Sequence, residues 1–125
     1  MLYEHLTQLL KELKVEGTLP RGQTAFDLEI EGVLVSITDA PPGMELFAVL
    51  DKLAEVENYE PLYRKLLRAN FLGQATSRAT LGLDEDGERV TLSLFVPTVR
   101  SYREFHDAIE DFVNAVSFWK EEVRA

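Results

Sequence analysis

The chain has 125 residues, 46% of them hydrophobic, with a formal net charge of −9 and no cysteine. That length fits one domain, residues 1–125, with a core of its own, and the apolar content is that of an ordinary globular protein rather than a disordered one. The acidic balance argues against nucleic acid, whose phosphates need clustered Lys and Arg, and against anionic membrane surfaces. The missing thiols remove disulfides, thiolate catalysis and cysteine zinc sites.

The first segment, MLYEHLTQLLKELKVEG, carries charge every few residues, which is unlike a signal peptide, and no apolar run reaches the length of a membrane span. The cytoplasm is the expected location. Leu2, Leu6, Leu9, Leu10 and Leu13 recur at helical spacing and predict an amphipathic helix ending near Gly17. TLPRGQ reads as a loop. In TAFDLEI, Phe26, Leu28 and Ile30 alternate with Asp27 and Glu29. A Glu31–Gly32 turn then leads to VLVSIT, where Val33, Val35 and Ile37 share a face, so the two strands predict a tight hairpin. DAPPG breaks the chain, and MELFAVLDKL reads as a third strand.

From Asn58–Glu60 the sequence enters a second helix with Pro61 in its first turn. Leu62, Tyr63, Leu66, Leu67 and Asn70 follow at helical spacing, and Gly73 closes the element. Ala75, Ser77, Ala79, Leu81 and Leu83 line a fourth strand, DEDG turns it, and Val90, Leu92, Leu94 and Val96 line a fifth that stops at Pro97. Ser101 to Val123 is a last helix. Its stripe contains Tyr102, Phe105, Ile109, Phe112, Val113, Val116 and Trp119, with Ser101 and Glu104 as a capping box. The order α-β-β-β-α-β-β-α predicts an α+β domain, an antiparallel sheet with helices packed against it.

Little in this chain is reactive. His106 and Glu110 stand four apart on the last helix, but two ligands do not make a zinc site. His5 lies in the first turn of the first helix and reads as an ordinary helical residue. DEDGE is a solvated turn, short of the ligands a calcium loop needs. Gly73, Gly82 and Gly87 are too scattered for a phosphate cradle, and no serine stands in a nucleophile elbow. The expectation is a protein that is not an enzyme and uses no metal or other cofactor.

The strands instead carry surplus apolar surface. Leu34 opposes the Val33 and Val35 face, and Phe95 opposes Leu94 and Val96. In MELFAVL both faces are apolar, Leu46 and Leu50 on one and Phe47 and Val49 on the other. Either the middle helix covers these residues or they form an interface. In EPLYRKLLRANFLG the apolar residues spread wider than one packed face needs, which suggests a second subunit.

This element order, the LYRKLLRANFLG helix end, the ATLGLDEDGERVTLSLFVP hairpin and FVNAVSFW in the final helix resemble the class I type III secretion chaperones, the Tir-chaperone-like family. The resemblance covers nearly the whole chain. It implies a homodimeric, ATP-independent chaperone of a Gram-negative cytoplasm, which binds the N-terminal region of one or more secreted effectors. The complex would then be recognised by the secretion ATPase apparatus. The client would lie mainly extended, adding strand-like pairing and inserting apolar side chains or short helices into surface grooves. By the same resemblance, Leu62, Leu66, Leu67, Phe71, Leu81 and Leu83 are candidates for the dimer interface. Phe26, Leu34, Phe47 and Val49 are candidates for effector contact, while Leu28 and Val35 are candidates for the core. Two other readings stay open. One is a chaperone-like module outside secretion, or an acidic immunity or antitoxin-type protein; the other is a hydrolase built around His106.

Overall fold

A computed structural model describes residues 2–13, 22–52, 59–72 and 79–124. Helix α1 spans Leu2–Glu12, and strands β1 (Ala25–Ile30), β2 (Val33–Ala40) and β3 (Gly43–Lys52) follow it. Helix α2 is Tyr59–Leu72, strands β4 and β5 are Thr80–Leu83 and Arg89–Val96, and helix α3 is Tyr102–Arg124. This is the α+β order expected from the sequence. The helix end near Gly17, the TLPRGQ loop before Gly22, the Asn58 entry, the Gly73 stop and the strand start at Ala75 and Ser77 lie outside the described residues. Among the described residues no helix is long and apolar enough to cross a membrane.

The five strands form one antiparallel sheet in the order β1-β2-β3-β5-β4. The first hairpin is set by Glu31 and Gly32, both at positive φ (52° and 81°). Two such residues make the turn whose twist matches that of the flanking strands. DAPPG proves to be a second tight turn: Ala40 pairs with Gly43 around Pro41 and Pro42. Gly43 is required there, since a Cβ at this position would strike the carbonyl oxygen of Val96. The Val99 N–H donates to the Pro42 carbonyl at 2.8 Å, tying the β5–α3 connection to the same turn.

One face of the sheet holds the core. Val35, Ile37, Met44, Leu46, Ala48, Val90 and Leu92 are buried there, beneath Leu6 of α1 and Phe105, Ile109, Phe112 and Val116 of α3. The strands alternate because successive side chains point to opposite faces. In β3 this gives buried Leu46, Ala48 and Leu50 against outward Glu45, Phe47 and Val49. A bulge between Val49 and Asp51 then shifts the register, so that Leu50 and Asp51 are both buried.

Helix α3 begins as its sequence predicts, with Ser101 Oγ accepting the Glu104 N–H at 3.2 Å. The return half of the box differs by one residue. The Glu104 carboxylate accepts from the N–H of Arg100, at 3.4 Å, where the motif would use that of Ser101. Helix α2 touches β4 and reaches α3 through Lys65, whose Nζ donates to the Glu122 carbonyl at 2.9 Å.

Candidate protein-binding surface

The two histidines are placed by structure rather than chemistry. His106 is half-exposed on α3, with Nδ1 at 3.6 Å from Asp107 and 3.9 Å from Glu110, both solvated carboxylates. His5 stacks on Phe105 at a centroid distance of 5.4 Å and leans on Tyr102, so it helps seat α1 on α3. Among the described residues no three His, Cys, Asp or Glu side chains come together as a metal site would require. The DEDGE turn organises itself: Asp84 Oδ1 accepts the N–H groups of Glu88 and Arg89 at 2.9 and 3.2 Å.

The sheet face away from α1 and α3 is different. Its cross-strand rows follow from the register. Asp27, Ser36, Phe47, Ser93 and Thr80 form one row, and Glu45 faces Phe95 in the next. On the other side Glu29 faces Leu34 and Val49 faces Thr91, and the β2–β3 register carried two residues further sets Leu34 against Val49. Leu34, Phe47, Val49 and Phe95 are 62%, 40%, 39% and 57% exposed. Directly opposed residues, and diagonal ones such as Phe47 and Phe95, are within side-chain reach. The four therefore make a continuous apolar stripe on the outer face of the sheet. It is flanked by acids and hydroxyls, and the Ser36 hydroxyl donates to Asp27 at 2.6 Å.

A second recess lies between the end of β5 and α3, a groove of about 660 Å³ lined by Leu94, Val96, Ala108, Ala115, Phe118 and Trp119 among others. The small alanines leave the trough, and Phe118 stands exposed at its rim. A third feature is the outer edge of β1, which pairs with no other strand among the described residues. Ile30 and Val33 close a two-residue hairpin, so the inward hydrogen-bonding pairs are Ile30–Val33, Leu28–Val35 and Phe26–Ile37. The N–H and C=O groups of Ala25, Asp27 and Glu29 then point outward from β1, an end strand of the sheet.

Of the expected client residues, Leu34, Phe47 and Val49 stand together on the outer face. Phe26 does not join them. It is buried in the core, because it shares its face with Val35 and Ile37 by register, and that is the face α1 and α3 cover. Of the expected interface residues, Leu67 is 71% exposed on α2 and Leu83 is exposed on β4. Leu81 is instead buried within its own chain, opposite Leu92. The side chains of Leu62, Leu66 and Phe71 lie outside the described residues. Phe95 and Phe118 were not singled out by sequence as site residues. Phe95 was visible as an apolar residue off the alternating set, whereas Phe118 is only one step from Trp119 in a helical stripe.

Among curated proteins no sequence match was found. Among solved structures the chain resembles the ExsC–ExsE complex, with a TM-score of 0.80 at 15% identity over 99% of this chain and 94% of that one. It also resembles the ExoU–SpcU heterodimeric complex from the type III secretion system of Pseudomonas aeruginosa, with a TM-score of 0.68 at 17% identity over 98% and 94%. The HopA1–SchA chaperone–effector complex gives a TM-score of 0.67 at 15% identity over 94% and 91%. These likenesses show a shared fold. The sequence profile of one family matches residues 4–120, nearly the whole chain, and the protein therefore belongs to the Tir chaperone protein (CesT) family.

Proposed function

We propose that this protein is a homodimeric chaperone that binds the N-terminal region of a type III secreted effector and holds it competent for export. The observation that carries the reading is the apolar stripe of Leu34, Phe47, Val49 and Phe95 on the outer sheet face of a chaperone-family fold. A stripe of this kind on a monomer marks a surface that another chain covers. The edge of β1, unpaired among the described residues, supports it further, since an extended client segment can add there as another strand. Chaperone–effector assembly is what the HopA1–SchA structure contains, on the same fold. The exposed Leu67 on α2 and Leu83 on β4 fit a dimer seam separate from the stripe. Work of this type needs no nucleotide, and transfer of the loaded client to the secretion ATPase apparatus completes the scheme.

Affinity purification of the protein from its host, with mass spectrometry of what accompanies it, is the direct test. The expected result is a secreted protein retained through its N-terminal region, by a chaperone that light scattering shows to be a dimer. Mg-ATP should give no binding heat. Recovery of a toxin's catalytic domain in place of an export substrate would move the protein to the immunity-type reading. A saturable ATP signal would overturn the energy-independent scheme.

A further inference from the structure

Helix α2 has two unlike sides, and one bond sets them. Successive helical residues turn by about 100°, so Lys65 and Leu67, two apart, project from nearly opposite sides, while Tyr63 and Leu67, four apart, share one. Leu67 is 71% exposed and Tyr63 is 40% exposed. Lys65 points the other way. Its side chain is 34% exposed, and its Nζ donates to the Glu122 carbonyl at 2.9 Å, with the Glu122 carboxylate further off at 3.9 Å. The exposed ion pair of Arg64 with Glu60, at 2.9 Å, lies within α2 itself and anchors it to nothing else.

Glu122 lies in the last turn of α3, which ends at Arg124. The final carbonyls of a helix have no donor within it and carry the negative end of its dipole, so an ammonium group suits this place. Lys65 therefore caps α3 from another helix. Trp119 and Val123, in the same closing turns of α3, are buried in the core, so the cap fastens α2 to a fixed part of the subunit. We propose that Lys65 is a positioning residue for the dimer seam: by capping α3 it fixes the rotation of α2 about its own axis and turns Tyr63 and Leu67 outward to the partner subunit. This rests on the homodimer reading above and adds to it the residue that aims the seam. A helix already held in its bound orientation loses less freedom on association, and that saving goes into dimer affinity. Within one subunit the bond matters less, because at this exposure water can replace the ammonium group on the carbonyl.

Sedimentation equilibrium of the intact protein gives the dimer dissociation constant of wild type and three variants. Lys65→Met keeps the apolar stem and removes the donor, and should weaken the dimer roughly tenfold, the scale of a hydrogen bond to a charged group. Lys65→Arg restores a cationic donor to a single carbonyl, so its dimer should be within about threefold of wild type. Glu122→Gln removes the carboxylate charge and leaves the carbonyl, and should also stay within about threefold. A second background separates aim from general stability. With Leu67→Asp holding the subunits apart, the addition of Lys65→Met should leave the melting temperature within a few degrees. A wild-type dimer that Lys65→Met leaves unchanged would overturn the assignment, as would a Lys65→Arg dimer no tighter than that of Lys65→Met. A collapse of the melting temperature in the Leu67→Asp background would overturn it by making Lys65 a support of the whole fold. Glu122→Gln as damaging as Lys65→Met would overturn the carbonyl cap in favour of an ion pair. A wild type that sediments as a monomer would instead sink the homodimer reading on which the seam rests.

Discussion

Phe26 of β1 and Phe47 of β3 belong to one sheet and sit on opposite faces of it, 6% and 40% exposed. A carboxylate put at each should separate core from surface in one pair of variants. Phe26→Glu would bury a charge against Ile37 without a partner, at a cost of several kcal/mol, about what a marginal domain can lose before it unfolds. Phe47→Glu leaves its carboxylate at the surface, so the melting temperature should stay within a few degrees of wild type while client affinity falls at least tenfold. Thermal melts of the two proteins and client titration of the second check this. A melt of Phe47→Glu as low as that of Phe26→Glu would remove Phe47 from the client surface. Alternation in the sequence already showed that Phe47 and Val49 oppose Leu46 and Leu50. It did not show which face the helices would take, because period 2 gives the sides of a strand but not their cover. That is why Phe26, equally apolar and equally alternating, was legible as a face residue and not as a core one.

Among the elements, α1 is joined to α3 by a polar link as well as by apolar contact. The Tyr102 hydroxyl donates to Glu12 at 2.7 Å. Burial first, then the hydrogen bond and charge of Glu12, raise the Tyr102 phenol above its ordinary range. The folded protein therefore holds this proton more tightly than the unfolded chain does. The stabilisation is complete below about pH 10, the ordinary tyrosine value, and is lost as pH rises beyond it, when a phenolate would face the Glu12 carboxylate. Wild type should lose stability between pH 10 and 11 more steeply than Tyr102→Phe, as followed by denaturant melts at each pH. Parallel pH profiles for the two would mean the link contributes nothing. The helix stripes of α1 and α3 were legible from spacing alone. The Tyr102–Glu12 bond was not, since it joins residues 90 apart in sequence whose meeting depends on how the helices cross.

For the whole molecule, the element order could be read from turn chemistry and apolar period, and the five strands follow it. The strand order could not, because nothing local says that β5 inserts between β3 and β4. Assembly gives the prediction at this scale. Leu67 is mostly exposed within one chain, so Leu67→Asp costs a single folded subunit little and a dimer much. Light scattering should show a wild-type dimer at micromolar concentration and a folded Leu67→Asp monomer, with a melting temperature that rises with protein concentration only for wild type. A wild-type monomer would refute the dimer.

The place of β3 in the sheet also decides when the fold can form. Its partner β2 precedes it across a two-proline turn, but its other partner, β5, is made only after α2 and β4. The helix that covers Leu46 and Ala48 is later still. A chain emerging from the ribosome therefore carries β3 half paired and without its covering helix until β5 and α3 have been synthesised. Long-range pairing of this kind is slow and leaves sticky intermediates in the meantime. A chaperone-family protein that keeps an apolar stripe on its mature surface is thus, during its own synthesis, in the position of a client.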